Sequence, residues 1–323
     1  MTEKIRWAIL GTGAVANRFA PALGNISDRA ELVAVGSRSQ ETAAAFAEKY
    51  SISKSYDTYQ AVADDPEVDV VYIATPHLFH HRDARMCLEA GKHVLCEKAF
   101  TMNAEEAQDL IDLARKKGLF LMEAMWTRFF PIHVKVRDIL AEGLLGDLQG
   151  LVIHHNYLGL PELPEIYPTK LGMGTFMDQA PYGLGFAYSV LGPPLRTTGV
   201  GTFDDRGLSL QVSGVFEHEG GRLTTWMASR TTYDVKEAII FGSQGKIDIH
   251  APWYKPTAMT LHLKGKPPEV IEMPLDGYIG YEYEALEVMD SILAGKTESA
   301  IMPLDETLAV LTTMDSIRKQ WGF

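Results

Sequence analysis

Gly11, Gly13 and Ala16 stand in the run Gly11-Thr12-Gly13-Ala14-Val15-Ala16, the spacing G-x-G-x-x-A. The chemistry served by that spacing is the cradling of a pyrophosphate. Gly11 permits a tight turn, Gly13 has no side chain to block the phosphates, and Ala16 is small enough for a helix to pack on a sheet. A helix starting here offers N–H groups and the positive end of its dipole, with the backbone of Thr12, Ala14 and Val15 completing the turn. A second chemical signal is Gly36-Ser37-Arg38-Ser39, at the end of the next apolar run. An Asp or Glu there would accept hydrogen bonds from an adenosine ribose, whereas an Arg pairs with a 2′-phosphate. With no carboxylate at the position, Ser37 and Arg38 are expected to clamp a phosphate. NADP(H) is thus expected in preference to NAD(H), which stays the alternative.

The elements that must position these residues alternate in the first third of the chain. Strands are predicted at 7–10, 31–36, 69–74, 93–96 and 119–123, with helices at about 14–23, 41–50, 80–90 and 104–117. Strands that are continuous apolar runs between helices predict a doubly wound parallel sheet covered on both faces. After Trp126 the pattern changes. A helix at 131–142 precedes strands at 148–157, 208–216, 222–230, 238–241, 246–250, 259–263 and 270–273, with helices near 178–191, 281–294 and 305–319. The turn His218-Glu219-Gly220-Gly221 predicts a hairpin. The expected fold is α/β: an N-terminal Rossmann domain over 1–125, and a C-terminal α+β domain over 126–323 with a large, mainly antiparallel sheet for substrate binding and oligomerisation.

Composition narrows the partners. The 323 residues carry a formal net charge of −12, which disfavours nucleic acid as the main partner. Only two cysteines, Cys87 and Cys96, suit a reducing compartment. The short apolar start Trp7-Ala8-Ile9-Leu10 runs into the glycine turn, and no apolar run reaches the ~20 residues of a membrane span. A cytoplasmic protein acting on a small molecule, with neither membrane nor nucleic acid as partner, is expected.

Thr75-Pro76-His77-Leu78-Phe79-His80 and Gly91-Lys92-His93-Val94-Leu95-Cys96-Glu97-Lys98, with the N-terminal fingerprint and the two-domain layout, resemble the Gfo/Idh/MocA oxidoreductase family. Within it, Met122-Glu123-Ala124-Met125-Trp126-Thr127-Arg128-Phe129-Phe130-Pro131 is similar to the dimeric dihydrodiol dehydrogenase and NADP-dependent xylose dehydrogenase branch. The resemblance covers nearly the whole chain and is thinner through the antiparallel sheet. It implies that Lys98, in a Glu-Lys-Pro motif whose proline is here Ala99, lies beside the nicotinamide. It also implies that Thr75, Pro76, His77, His80 and Glu97 belong to the cofactor side, and that Trp126 and Arg128 line the substrate cleft. Tyr281 is a further substrate candidate among the plentiful aromatics Trp253, Tyr254, Tyr278 and Tyr283.

Many family members carry Asp, then His four residues later, on one helix; here the pair is Asp178 and Tyr182, in the branch's manner. Residues four apart share a helix face. The resemblance therefore implies an oxidoreductase transferring a hydride between nicotinamide and a CH–OH group of a small sugar, polyol or cyclic diol. A general base must reach the hydroxyl, and a tyrosine with a reference pKa near ~10 needs help from an adjacent ammonium. Tyr182 is expected to exchange the proton with Lys98 assisting, although Lys98 as relay and Tyr182 as orienter is the alternative. Asp178 is expected to orient one of them or bind a substrate hydroxyl. His77, His80 and His81 lack an acidic or cysteine partner, so no metal is expected. The rivals are a keto-sugar or dicarbonyl reductase and a non-catalytic NADP sensor. A homo-oligomer, by resemblance a dimer, is expected.

Overall fold

Six parallel strands form the first sheet of the computed structural model, which describes residues 4–159 and 174–322. They are β1 (Ile5–Leu10), β2 (Ala30–Gly36), β3 (Lys54–Tyr56), β4 (Val70–Ile73), β5 (His93–Glu97) and β6 (Leu121–Ala124), in the order β3-β2-β1-β4-β5-β6. Trp7 to Leu10 and Val70 to Ile73 are wholly buried, as strands covered on both faces must be. The covering helices are α1 (Ala16–Asn25), α2 (Gln40–Tyr50), α3 (Tyr59–Asp64), α4 (His80–Glu89) and α5 (Ala104–Lys117). Ser39, Thr58 and Asn103 cap α2, α3 and α5 through side-chain oxygens, while no side chain caps α1 or α4. Strand order reverses between β1 and β4, and a crevice for ligands opens at the carboxyl ends of strands at such a point. The glycine turn leaves β1 and the Thr75 turn leaves β4 at that edge.

The second sheet has eight strands, β7 (Leu148–Asn156), β8 (Pro194–Phe203), β9 (Ser209–His218), β10 (Leu223–Ser229), β11 (Ala238–Gly242), β12 (Gly245–Ile249), β13 (Ala258–Leu263) and β14 (Glu269–Glu272). Their order is β14-β13-β12-β11-β7-β10-β9-β8, antiparallel except for the parallel pair β7 and β10. The hairpin expected at His218-Glu219-Gly220-Gly221 joins β9 to β10, with Phe216 opposite Thr224. Helix α6 (Pro131–Ala141) precedes the sheet, and α7 (Thr175–Leu191) packs on β7, β9 and β10. The start of α7 is pinned to β9: the Phe176 N–H donates to Ser209 Oγ at 2.9 Å and Thr175 Oγ1 donates to Leu210 O at 2.8 Å. The last helices are α8 (Tyr281–Leu293) and α9 (Leu304–Gln320).

The chain divides into two compact units, Met1–Trp126 with Gly277–Leu308, and Thr127–Asp276 with Ala309–Phe323. This corrects the expectation that everything after residue 125 forms the second domain. Helix α8 buries Tyr281, Ala285, Val288 and Met289, and it packs on α1. Asn25 Nδ2 donates to Glu282 Oε1 at 2.7 Å, and Arg29 pairs with Asp290 at 2.5 Å. The Leu121 N–H donates to Thr297 O at 3.1 Å, so the segment after α8 also bonds β6. An amphipathic helix does not announce which sheet it covers, so the return to the first unit was invisible in the sequence. Also unforeseen were β3, three residues without an apolar run, and β8, where Thr and Gly dilute the alternation.

Candidate active site

The glycine turn has the shape its residues call for. Gly11 has φ +98°, and a Cβ there would lie 2.7 Å from Ala74 O, so only glycine fits between the ends of β1 and β4. A Cβ on Gly13 would meet nothing within 4 Å, and Gly13 and Ala14 are exposed. Open space over a glycine, beside the uncapped start of α1, fits a pyrophosphate. Asn17, which the sequence reading passed over, holds the turn: its Nδ2 donates to Thr12 O at 3.1 Å and Gly13 O at 2.9 Å. Lys49 Nζ and the Tyr50 hydroxyl donate in turn to Asn17 Oδ1, at 2.7 and 2.9 Å. An Asn one residue into a helix after such a turn is the signal that could have found it.

At the end of β2, Arg38 is exposed and Ser37 is buried. Thr42 Oγ1 donates to Ser39 O at 3.0 Å, so the 2.6 Å contact between Ser37 Oγ and Thr42 Oγ1 has Ser37 as its donor. The hydroxyl proton of Ser37 is therefore committed inside the protein. Arg38 is the exposed cation at this end, beside the start of α2 that Ser39 caps.

After β4, Thr75 Oγ1 donates to the buried carboxylate of Asp83 at 2.8 Å, and Pro76 and His77 lead into α4. His80 departs from its expected place on the cofactor. Its ring is buried, with Nε2 2.8 Å from Thr75 O and Nδ1 2.9 Å from Ala99 O. Both nitrogens face carbonyls, so His80 ties the Thr75 turn to the Lys98–Ala99 loop and has none to offer a ligand. Burial pushes its pKa down, against the two carbonyls and Asp83, which favour the imidazolium. Glu97 likewise turns inward: its carboxylate accepts the Tyr72 O–H and, at 3.2 Å, the N–H of Lys98. Ala99, in place of the motif's proline, is buried, and Lys98 is half-buried at the end of β5. Trp126 and Tyr281 are brought together in this same unit, their rings stacked at 4.4 Å and 11°.

In the second unit, Asp178 and Tyr182 lie one turn apart on α7. Residues 172–173 of the surrounding motif fall outside the described residues. Asp178 forms an ion pair with the buried Arg230, whose guanidinium also lies 5.1 Å from the Tyr157 ring centroid. Gln179, with its amide oriented to satisfy its neighbours, donates to His155 O at 2.8 Å and accepts from the Tyr157 O–H at 2.9 Å and Arg230 Nε at 3.1 Å. Around Tyr182 stand His155 at 5.3 Å and Tyr254 at 5.9 Å between ring centroids, and these two stack on each other at 4.6 Å. Arg230, His155, Tyr157 and Tyr254 come from β7, the residue just after it, and the segments after β10 and β12, so no spacing linked them to α7 in advance. Arg128 is buried and donates to Gly185 O of α7 at 2.7 Å. Among the described residues no group of three or more His, Cys, Asp or Glu could hold a metal ion, and no helix is long and apolar enough to cross a membrane.

A Rossmann sheet with a pyrophosphate turn at its switch point defines a dinucleotide-binding oxidoreductase unit. Residues 5–125 match the Gfo/Idh/MocA oxidoreductase family with its NAD-binding Rossmann fold, and residues 133–248 match the family's C-terminal domain. The chain belongs to the Gfo/Idh/MocA family of NAD(P)-binding oxidoreductases. It is 32% identical to the trans-1,2-dihydrobenzene-1,2-diol dehydrogenase of Mus musculus, over 98% of this chain and 97% of the relative. Among solved structures, levoglucosan dehydrogenase in complex with NADH and levoglucosan superposes with TM-score 0.90 at 17% identity, covering 99% and 97% of the two chains. The aldose-aldose oxidoreductase of Caulobacter crescentus does so with TM-score 0.87 at 23% identity, covering 99% of each. At those identities the two structures establish the shared fold.

Proposed function

We propose that this protein is an NADP(H)-dependent dehydrogenase that oxidises a secondary alcohol of a small sugar, polyol or cyclic diol. The observation that carries the reading is the face of α7, where Tyr182 sits against His155 and Tyr254 one turn from Asp178 and its Arg230 partner. When bound, the nicotinamide supplies the hydride acceptor or donor. Gly11 to Val15 hold the pyrophosphate, Arg38 pairs with the 2′-phosphate, and the Thr75-Pro76-His77 turn borders the dinucleotide. Tyr182 exchanges the hydroxyl proton, and the Lys98 ammonium stabilises negative charge on the phenol and on the substrate oxygen. Asp178, steadied by Arg230, accepts a hydrogen bond from a neighbouring substrate hydroxyl. Trp126 and Tyr281, stacked together, offer an apolar face to a ring. The second unit binds the substrate and pairs two chains in a homodimer. Two buried free thiols, Cys87 and Cys96, suit a cytoplasmic setting.

The test is a turnover screen of polyols, aldoses, dihydrodiols and dicarbonyls with NADP(H), comparing the wild type with Tyr182→Phe and Lys98→Met. Loss of general acid–base help should lower kcat by about 100-fold or more in Tyr182→Phe, with NADPH affinity little changed. Near-normal kcat in that variant would sink the tyrosine-centred mechanism and leave Lys98 as the proton carrier. Tight NADPH binding without turnover of any substrate would mark a sensor instead.

A further inference from the structure

Glu284, in the first turn of α8, is 0% exposed, and neither of its carboxyl oxygens has a hydrogen-bond partner. It faces the charge of Glu97, at the end of β5. The two carboxyls are not equivalent. Glu97 accepts the O–H of Tyr72 and the N–H of Lys98, and donors of this kind favour the ionised form. Glu284 has no donor, and an unpartnered carboxylate in the interior is strongly disfavoured. Of the pair, Glu284 is therefore the member that keeps a proton. Burial first, and the negative charge of Glu97 second, push its carboxyl well above the usual range.

Tyr72 on β4 is held above the usual phenol range by burial first, then by Glu97, Glu284 and Tyr281. Glu282, on the same helix turn, accepts the N–H groups of Ile279 and Gly280 and the side-chain amide of Asn25. Phe19 of α1 stacks on Tyr72 at 3.7 Å and meets Tyr281 edge-on at 6.4 Å, which walls the region with aromatic rings. Glu97, which accepts the Lys98 N–H, and the buried carboxyl of Glu284, which has no donor, thus act on each other in surroundings where screening is weak.

We propose that Glu97 and Glu284 form a charge-adjusting acid pair: Glu284 releases its proton to solvent when a positive charge is brought beside Lys98 and takes it back when that charge is gone. The inference rests on the reading of the first unit as a nicotinamide dinucleotide site with Lys98 beside the ring. The oxidised ring carries a positive charge and the reduced ring does not. The step is the ionisation of one carboxylic acid, with the proton taken up by buffer and no electrons moved. Two interacting acids titrate as a pair, so the release is a fraction of one proton spread between them.

Calorimetric titration of the whole protein with NADP+ and with NADPH, each in two buffers of different ionisation enthalpy, reads that proton directly. The 2′-phosphate is common to both ligands, so its own protonation cancels in the difference. The expected result is more proton release with NADP+ than with NADPH in the wild type, and no difference in Glu284→Gln, a neutral side chain of nearly the same shape. An unchanged difference in Glu284→Gln overturns the proposal. Failure of both nucleotides to bind the wild type overturns the underlying reading of the site, a distinct outcome. Infrared difference spectra of the wild type give a readout that needs no variant to fold. The carbonyl band of a protonated carboxylic acid should shrink on adding NADP+ but not NADPH, and a band indifferent to both refutes the acid pair.

Discussion

Replacing Gly13 with alanine separates cofactor binding from folding, and Gly11→Ala is its control. Gly13 lies in open space with no neighbour within 4 Å of an added Cβ, and its φ is outside the left-handed region. Stability should therefore stay within about 0.5 kcal/mol, as at an ordinary surface position. If the pyrophosphate rests on this turn, the new methyl takes its place and lengthens the hydrogen bonds that hold it. Losing the worth of one charge-assisted bond, about 2 kcal/mol, raises the NADPH Kd roughly 30-fold. Gly11→Ala acts on the fold. Its φ of +98° costs about 1–2 kcal/mol with a side chain, and the Cβ would sit 2.7 Å from Ala74 O and 3.1 Å from Ala74 C. Those are backbone atoms at the end of β4, which must shift, so a loss above about 2 kcal/mol is expected. NADPH fluorescence titration measures the first effect and urea unfolding followed by circular dichroism the second. Wild-type NADPH affinity in a folded Gly13→Ala protein would refute the placement of the phosphates.

Arg38→Ala should weaken NADP(H) by about 10-fold or more, the worth of a hydrogen-bonded charge pair, and leave NAD(H) affinity nearly unchanged. Equal losses for the two nucleotides, read by the same titration, would remove Arg38 from the 2′-phosphate. His133 makes the fold acid-sensitive: burial pushes its pKa down to about 4, although Nε2 donates to Trp253 O at 2.8 Å. Its folded value lies below its unfolded value, so its contribution is intact above about pH 6.5 and is lost as pH falls toward 4. About 2 kcal/mol of it should be gone by pH 5. The urea midpoint of His133→Gln should fall less than that of the wild type between pH 7 and 5, and parallel falls would exonerate the histidine.

The first sheet was legible because its signals are local. Buried parallel strands are continuous apolar runs, and the phosphate turn is six adjacent residues whose backbone needs are written in their types. The antiparallel sheet was read less fully: β8 gave no clear alternation, and the parallel pairing of β7 with β10 cannot be seen in either strand alone. Asp178 and Tyr182 were found together because one helix turn joins them. Arg230 was missed because it approaches Asp178 from 52 residues away. His80 and Glu97 were assigned to the cofactor side, whereas their hydrogen bonds run to other parts of the protein. Their partners, Ala99 O and the Tyr72 hydroxyl, lie on other strands and loops, so only the folded chain shows them turned inward.

The sequence by itself determined the dinucleotide turn, the cationic end of β2, the doubly wound first sheet and the helix face bearing Asp178 and Tyr182. Each is a property of neighbours in the chain, fixed by backbone sterics and helical or strand period. The tertiary structure decided the rest. It returned α8 to the first unit, stacked Tyr281 on Trp126, gave Asp178 its arginine and buried Glu284 without a hydrogen-bond partner in the field of Glu97. Burial and charge pairing depend on which distant segments meet, and that information is absent from any window of the sequence.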